Sequence, residues 1–148
     1  MGADQLVSGL QAAIAPFVLI SGVGLIILSL TNRLGRAIDR TRELAREIKH
    51  GDHPEEAELL RPQVNVLYKR CRYLRWSIGC AAASIVCTCL ITLILFSAVF
   101  FRFHGALAVQ TLFALCVIFI IAALGFFLAD VRLTLSSLRM EIDSLPRR

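Results

Sequence analysis

Charge is scarce in this chain in a particular way: it is missing in blocks. Ala12 to Leu30, Ser77 to Phe101 and Ala106 to Ala129 contain no Asp, Glu, Lys or Arg. Each block has about the 20 residues with which a helix crosses a hydrocarbon core of roughly 30 Å. With 57% apolar residues over 148 positions and a mean hydropathy of +0.70, the chain is too hydrophobic for a soluble domain of its size. The blocks predict three transmembrane helices, over 12–31, 77–101 and 106–129, in a single membrane domain covering 1–148.

Other absences narrow the function. Five cysteines (Cys71, Cys80, Cys87, Cys89 and Cys116) are odd in number and lie in apolar or basic segments, so no disulfide framework is implied. Cys87 and Cys89 fall on nearly opposite faces of a helix, which excludes joint chelation, and all five read as small packing residues. No serine-histidine-acid set, glycine-rich phosphate loop or intramembrane carboxylate pair is present. The expectation is a protein without catalysis and without a cofactor.

The first block could be taken for a signal peptide, since Ala13-Ile14-Ala15 has a small-x-small pattern. The apolar run follows that triplet instead of preceding it, Asp4 stands where a basic region belongs, and arginines begin at Arg33. A retained span is expected. Between positions 32 and 76 stand Arg33, Arg36, Arg40, Arg42, Arg46, Lys49, Arg61, Lys69, Arg70, Arg72 and Arg75, and Arg132, Arg139, Arg147 and Arg148 lie in the tail. The opposite side has Arg102 alone. The positive-inside rule then predicts a multi-pass protein of the inner membrane, with the N-terminus outside and 32–76 and the C-terminus in the cytoplasm.

Beyond the spans, three segments share a 4-3-4-3 apolar spacing: Leu34, Ile38, Thr41, Ala45 and Ile48; Leu60, Val64, Leu67, Cys71 and Leu74; and Val131, Leu135, Leu138, Ile142 and Leu145. Such a seam keeps one helix face on a partner. An all-α fold follows: three transmembrane helices extended into a cytoplasmic helical hairpin over 32–76 and a C-terminal helix over 130–146, packed as a three-helix bundle. The first helix would project about 25 Å into the cytoplasm. Lys49, His50 and Gly51 suit its end, and Asp52, Pro54 and Glu55 suit the next helix start. Pro16 predicts a bend or late start in the first helix, and Pro62 a kink or restart near Arg61.

The stretch Asn32-Arg33-Leu34-Gly35-Arg36-Ala37-Ile38-Asp39-Arg40-Thr41-Arg42, preceded by Ala13-Ile14-Ala15-Pro16, resembles a family of small bacterial three-pass membrane proteins known as a domain of unknown function. Their shared pattern is Ala-Ile-x-Pro at the first helix, then N-R-L-x-R-x-x-D-R-x-R. The resemblance covers most of the chain and implies the fold and a membrane location. It implies no activity.

Asp39 can reach Arg36 and Arg42 along one helix, but exposed pairs contribute a few tenths of a kcal/mol. Four arginines in ten residues, Arg33 to Arg42, therefore need another reason. Arg33, Arg36, Arg70, Arg72 and Arg75, with Trp76, form a candidate collar for anionic lipid headgroups or an anion entrance. Tyr68, Tyr73 and Trp76 among these cations suit a membrane interface. Arg40, Glu43 and Glu47 fall on the solvated face. Asp130, at the inner end of the third span and at the same depth as Arg33, Arg36 and Arg75, is expected to enter an interhelical ion pair there, with Asp39 and Arg42 also candidates for such pairing. A proton or cation site at Asp130 is the functional alternative.

His50, Asp52 and His53 are the one weak metal-ligand candidate, since capping already accounts for them and their spacing fixes no site. Ser84, Thr88 and Thr92, with Ser77, line one flank of the second span and suggest either helix packing or an oligomeric pore. Seven acids interleaved with the eleven hairpin cations argue against nucleic acid. The resulting expectation is a homo-oligomeric inner-membrane protein whose cytoplasmic bundle serves assembly or an unidentified protein partner and whose basic collar holds anionic lipid. An oligomeric, anion-preferring channel is the alternative.

Overall fold

A computed structural model describes the backbone over residues 3–50, 54–101 and 106–143 and side chains over 14, 16–50, 60–97 and 106–135. It is all-helical, with no strand among the described residues. Helix α1 is Ala3–His50, α2 is Pro54–Phe101 and α3 is Ala106–Asp143, and the three pack against each other as a bundle. Each is long and apolar enough to cross a membrane, and only 11%, 22% and 11% of their most apolar windows are buried. So much apolar surface is stable only against lipid, and the chain is a multi-pass membrane protein.

Of the alternatives expected at the prolines, the late start at Pro16 and the restart at Pro62 do not occur: Pro16 lies inside α1 and Pro62 inside α2, and neither ends its helix. Good helix formers before each proline, Leu10, Ala12 and Ala13 in α1 and Glu58, Leu59 and Leu60 in α2, propagate the helix across the one lost hydrogen bond. Pro62 is also exposed, so its ring displaces no packed neighbour. At the end of α1, His50 Nδ1 donates to the Arg46 carbonyl at 3.1 Å and satisfies one orphan acceptor of the last turn. Asp52 and His53 lie outside the described residues.

The helices divide between two compact units. The first comprises Met1–Leu28 and Gly79–Ala123. Its centre is Val23, Ala81 and Ala123, one residue from each helix, flanked by Leu19, Ile27, Cys80, Ile85 and Ile120. Small side chains let the backbones approach closely, which is how helices associate where lipid removes the hydrophobic drive. Phe17, Leu25, Leu93, Phe96 and Ile121 point outward.

The second unit comprises Ser29–Ile78 and Leu124–Arg148. Leu30, Ala37 and Leu44 of α1, Leu74 and Ser77 of α2 and Asp130 of α3 are its buried residues. The seam of α2 runs as expected, with Leu60, Val64, Leu67 and Cys71 half-buried and Leu74 fully buried. That of α1 is rotated: Leu34, Ile38, Thr41 and Ile48 are half-buried, Ala45 is exposed, and the deepest positions are Leu30, Ala37 and Leu44. A small residue, Ala37, is buried where size-based reading favours its neighbour Ile38. On α3, Val131 is half-buried but Leu135 is 61% exposed, and the deepest position is Asp130. The side chains of Leu138, Ile142 and Leu145 lie outside the described residues.

Candidate functional site

Helix α3 carries no charge from Ala106 until Asp130, and that carboxylate is wholly buried in the second unit. Cys116, Ala123 and Asp130, seven residues apart, are the buried positions on α3 among the described residues. Helix periodicity thus delivers an ionisable group to a position otherwise filled by small apolar residues. The thiol and methyl can be buried without a partner, whereas a carboxylate cannot.

Two arginines from the other helices meet Asp130. Arg70 of α2 donates from Nε to Oδ1 at 3.2 Å. Arg33 of α1 places Nη1 3.8 Å from Oδ2, close enough for Coulomb attraction but too far for a hydrogen bond. Oδ2 is the buried side-chain polar atom left without a hydrogen-bond partner among the described residues. The Arg33 guanidinium also lies over the Phe127 ring, 5.1 Å from its centroid, in cation–π contact. Phe127 precedes Asp130 by three residues, so ring and carboxylate share one face of α3. Thr134 donates to the Asp130 carbonyl at 2.9 Å.

One carboxylate thus links all three helices of this unit, and two cations around one anion leave a net positive centre. Two guanidinium groups already placed on this carboxylate repel a further cation, so the arrangement reads as a structural tie. The partners differ from part of the sequence expectation. Asp39 and Arg42 are exposed on α1, and Arg42 lies about 13 Å along the axis beyond Arg33, out of register with Asp130. The exposed Arg40 instead pairs with Glu43 at 2.7 Å on the outer face of α1.

The collar residues separate into two groups. Arg33 and Arg70 are partly buried and turned towards Asp130. Arg36, Arg72, Arg75 and Trp76 are exposed. Trp76 and Tyr73 both tilt against Phe126, with ring centroids 6.5 and 6.4 Å apart. Sequence reading overlooked Phe126 and Phe127, since two aromatics inside an apolar run carry no visible pattern until the faces of α3 are known.

In the first unit, Ser84 and Thr88 are buried and their hydroxyls are used locally. Ser84 donates to the Ala81 carbonyl at 2.7 Å, Thr88 to that of Ser84 at 2.9 Å and Thr92 to that of Thr88 at 2.9 Å. Cys116 of α3 completes the contact, its Sγ 3.3 Å from Thr88 Oγ1 and 3.5 Å from the Ser84 carbonyl. A pore along this flank would require these helices to separate. Among the described residues no group of three metal-ligating side chains gathers, and of the His50, Asp52 and His53 candidate only His50 is described.

Comparison with curated proteins and with solved structures finds no match to either. The model of one protein family does match, over residues 13–140, from before the first uncharged run ends to beyond Asp130. The chain belongs to that family, DUF2721, described as a protein of unknown function.

Proposed function

We propose that this membrane protein is a non-enzymatic, homo-oligomeric component of the bacterial inner membrane that holds anionic lipid on its cytoplasmic side. The observation that carries the reading is the exposure of Arg36, Arg72, Arg75 and Trp76 around a unit whose inner arginines are committed to Asp130. Cations and an indole directed outward, next to apolar runs, match the headgroup layer of an anionic leaflet. The orientation rests on the fifteen-to-one distribution of basic residues.

Assembly is supported by Gly22 and Gly24, where an added Cβ would meet nothing within 4 Å of its own chain. That backbone is open for close approach by a second copy. Burial and local bonding of Ser84 and Thr88 give a conducting pore on the α2 flank weaker support.

Native mass spectrometry from mixed phosphatidylglycerol and phosphatidylcholine nanodiscs tests both parts. The expected result is an oligomer retaining phosphatidylglycerol preferentially, with the preference lost in an Arg36→Glu, Arg72→Glu, Arg75→Glu variant. Gly22→Leu with Gly24→Leu should reduce the oligomer to monomer. A monomeric wild type would overturn the assembly reading, and an unchanged preference in the triple variant the lipid reading.

A further inference from the structure

Within the second unit a groove of about 240 Å³ opens between α2 and α3, lined by Tyr73, Gly125, Leu128, Ala129, Arg132 and Leu133. Its composition changes along its length. Gly125, Leu128 and Ala129 belong to the uncharged run that ends at Ala129, whereas Arg132 lies beyond Asp130 and is exposed. From Gly125 to Leu133 the floor extends about 12 Å along α3. Gly125 and Ala129, one helical turn apart, keep it low, and a Cβ added at Gly125 would meet nothing within 4 Å. Tyr73 forms the α2 wall, braced by Phe126. Four residues before Tyr73, on the same face of α2, stands the exposed Lys69.

We propose that this groove is a seat for one anionic phospholipid, an acyl chain lying over Gly125, Leu128 and Ala129 and the phosphate held by Arg132 and the Tyr73 hydroxyl. An amphiphile is the ligand that matches a groove apolar at one end and cationic at the other, placed where the uncharged run of α3 gives way to charge. A soluble anion would leave the apolar floor uncovered. A partner helix would gain little from the arginine unless it presented an acid there. The site rests on the lipid reading above and deepens it, since the collar residues Arg36, Arg72 and Arg75 attract headgroups generally whereas this groove would retain one molecule.

Gly125→Trp tests it directly, because the open space at that Cβ allows the indole to fill the groove without displacing the protein's own atoms. Lipid retained through stepwise delipidation is counted by native mass spectrometry, with melting temperature in phosphatidylglycerol against phosphatidylcholine micelles as a second readout. The expected result is loss of the last retained phosphatidylglycerol and of its stabilising effect in Gly125→Trp, with helical content unchanged. Arg132→Gln should weaken retention about tenfold, the loss of one charged hydrogen bond.

Retention equal to wild type in Gly125→Trp would overturn the seat. The general lipid reading would survive if the Arg36, Arg72 and Arg75 variant still abolished the preference. Loss of the oligomer with lipid retained would assign the groove to a second copy of the chain and also overturn the proposal. Equal retention of phosphatidylcholine would remove the role of Arg132.

Discussion

At the scale of single residues, Asp130 is the most consequential side chain in the protein. It is wholly buried, and Arg70 donates a direct side-chain hydrogen bond to it. Removing Arg70 strands a carboxylate, and Arg70→Met is expected to lower the unfolding free energy in detergent by about 3 kcal/mol. Arg33→Met should cost less, since Arg33 is more exposed and stands 3.8 Å from Oδ2. The double variant Arg70→Met with Asp130→Leu should recover most of the loss, because it deletes the buried charge together with its partner. Equal destabilisation of the single and double variants would show that Arg70 acts by packing its stem and not through the carboxylate.

At the scale of elements, each helix buries one face: Leu30, Ala37 and Leu44 on α1, Leu74, Ser77 and Ala81 on α2, and Cys116, Ala123 and Asp130 on α3 are among the buried residues. Leu44→Ala and Leu74→Ala remove fully packed side chains and are expected to cost about 2–4 kcal/mol each. Leu135→Ala, at a position that is 61% exposed, should change stability by less than about 0.5 kcal/mol. Chemical unfolding of the three variants in one detergent compares them, and an equal cost at Leu135 would restore the seam that spacing alone suggests for α3. Pro62 lies inside α2, where proline lacks a donor and crowds the preceding turn. Pro62→Ala is therefore expected to raise stability by about 1 kcal/mol or more, and no gain would mean that α2 already absorbs the proline by bending.

At the scale of the molecule, orientation is the prediction that governs the others. If 32–76 and the tail face the cytoplasm, then in a cysteine-free background Arg40→Cys is labelled by an impermeant maleimide only in inverted vesicles. His104→Cys should be labelled only in intact cells. The reverse pattern would place the arginine collar outside and remove the anionic-leaflet argument with it. The net charge of +5 thus has its main consequence in how the chain sits in a bilayer.

Much of this was legible in the residues. Three uncharged runs of membrane length determine three spanning helices because a bilayer offers the backbone no other partner than itself. The arginine distribution determines the expected orientation, and the expected membership of a family of unknown function agrees with the family match over residues 13–140. The α2 seam could also be read correctly, since Val64, Leu67 and Leu74 are large residues at the right spacing. Periodicity narrows a helix face to within about one residue step, roughly 100°, and size does not resolve it where close packing selects Ala37 over Ile38. The partners of Asp130 were open for the same reason: Arg33, Arg36 and Arg75 stood at its expected depth, but packing brings in Arg33 and Arg70 and leaves Arg36 and Arg75 exposed. Sequence determined that this is a three-span helical membrane protein. Tertiary structure alone decided which arginines face inward to a buried carboxylate and which remain exposed, because that choice depends on helix rotation and axial register.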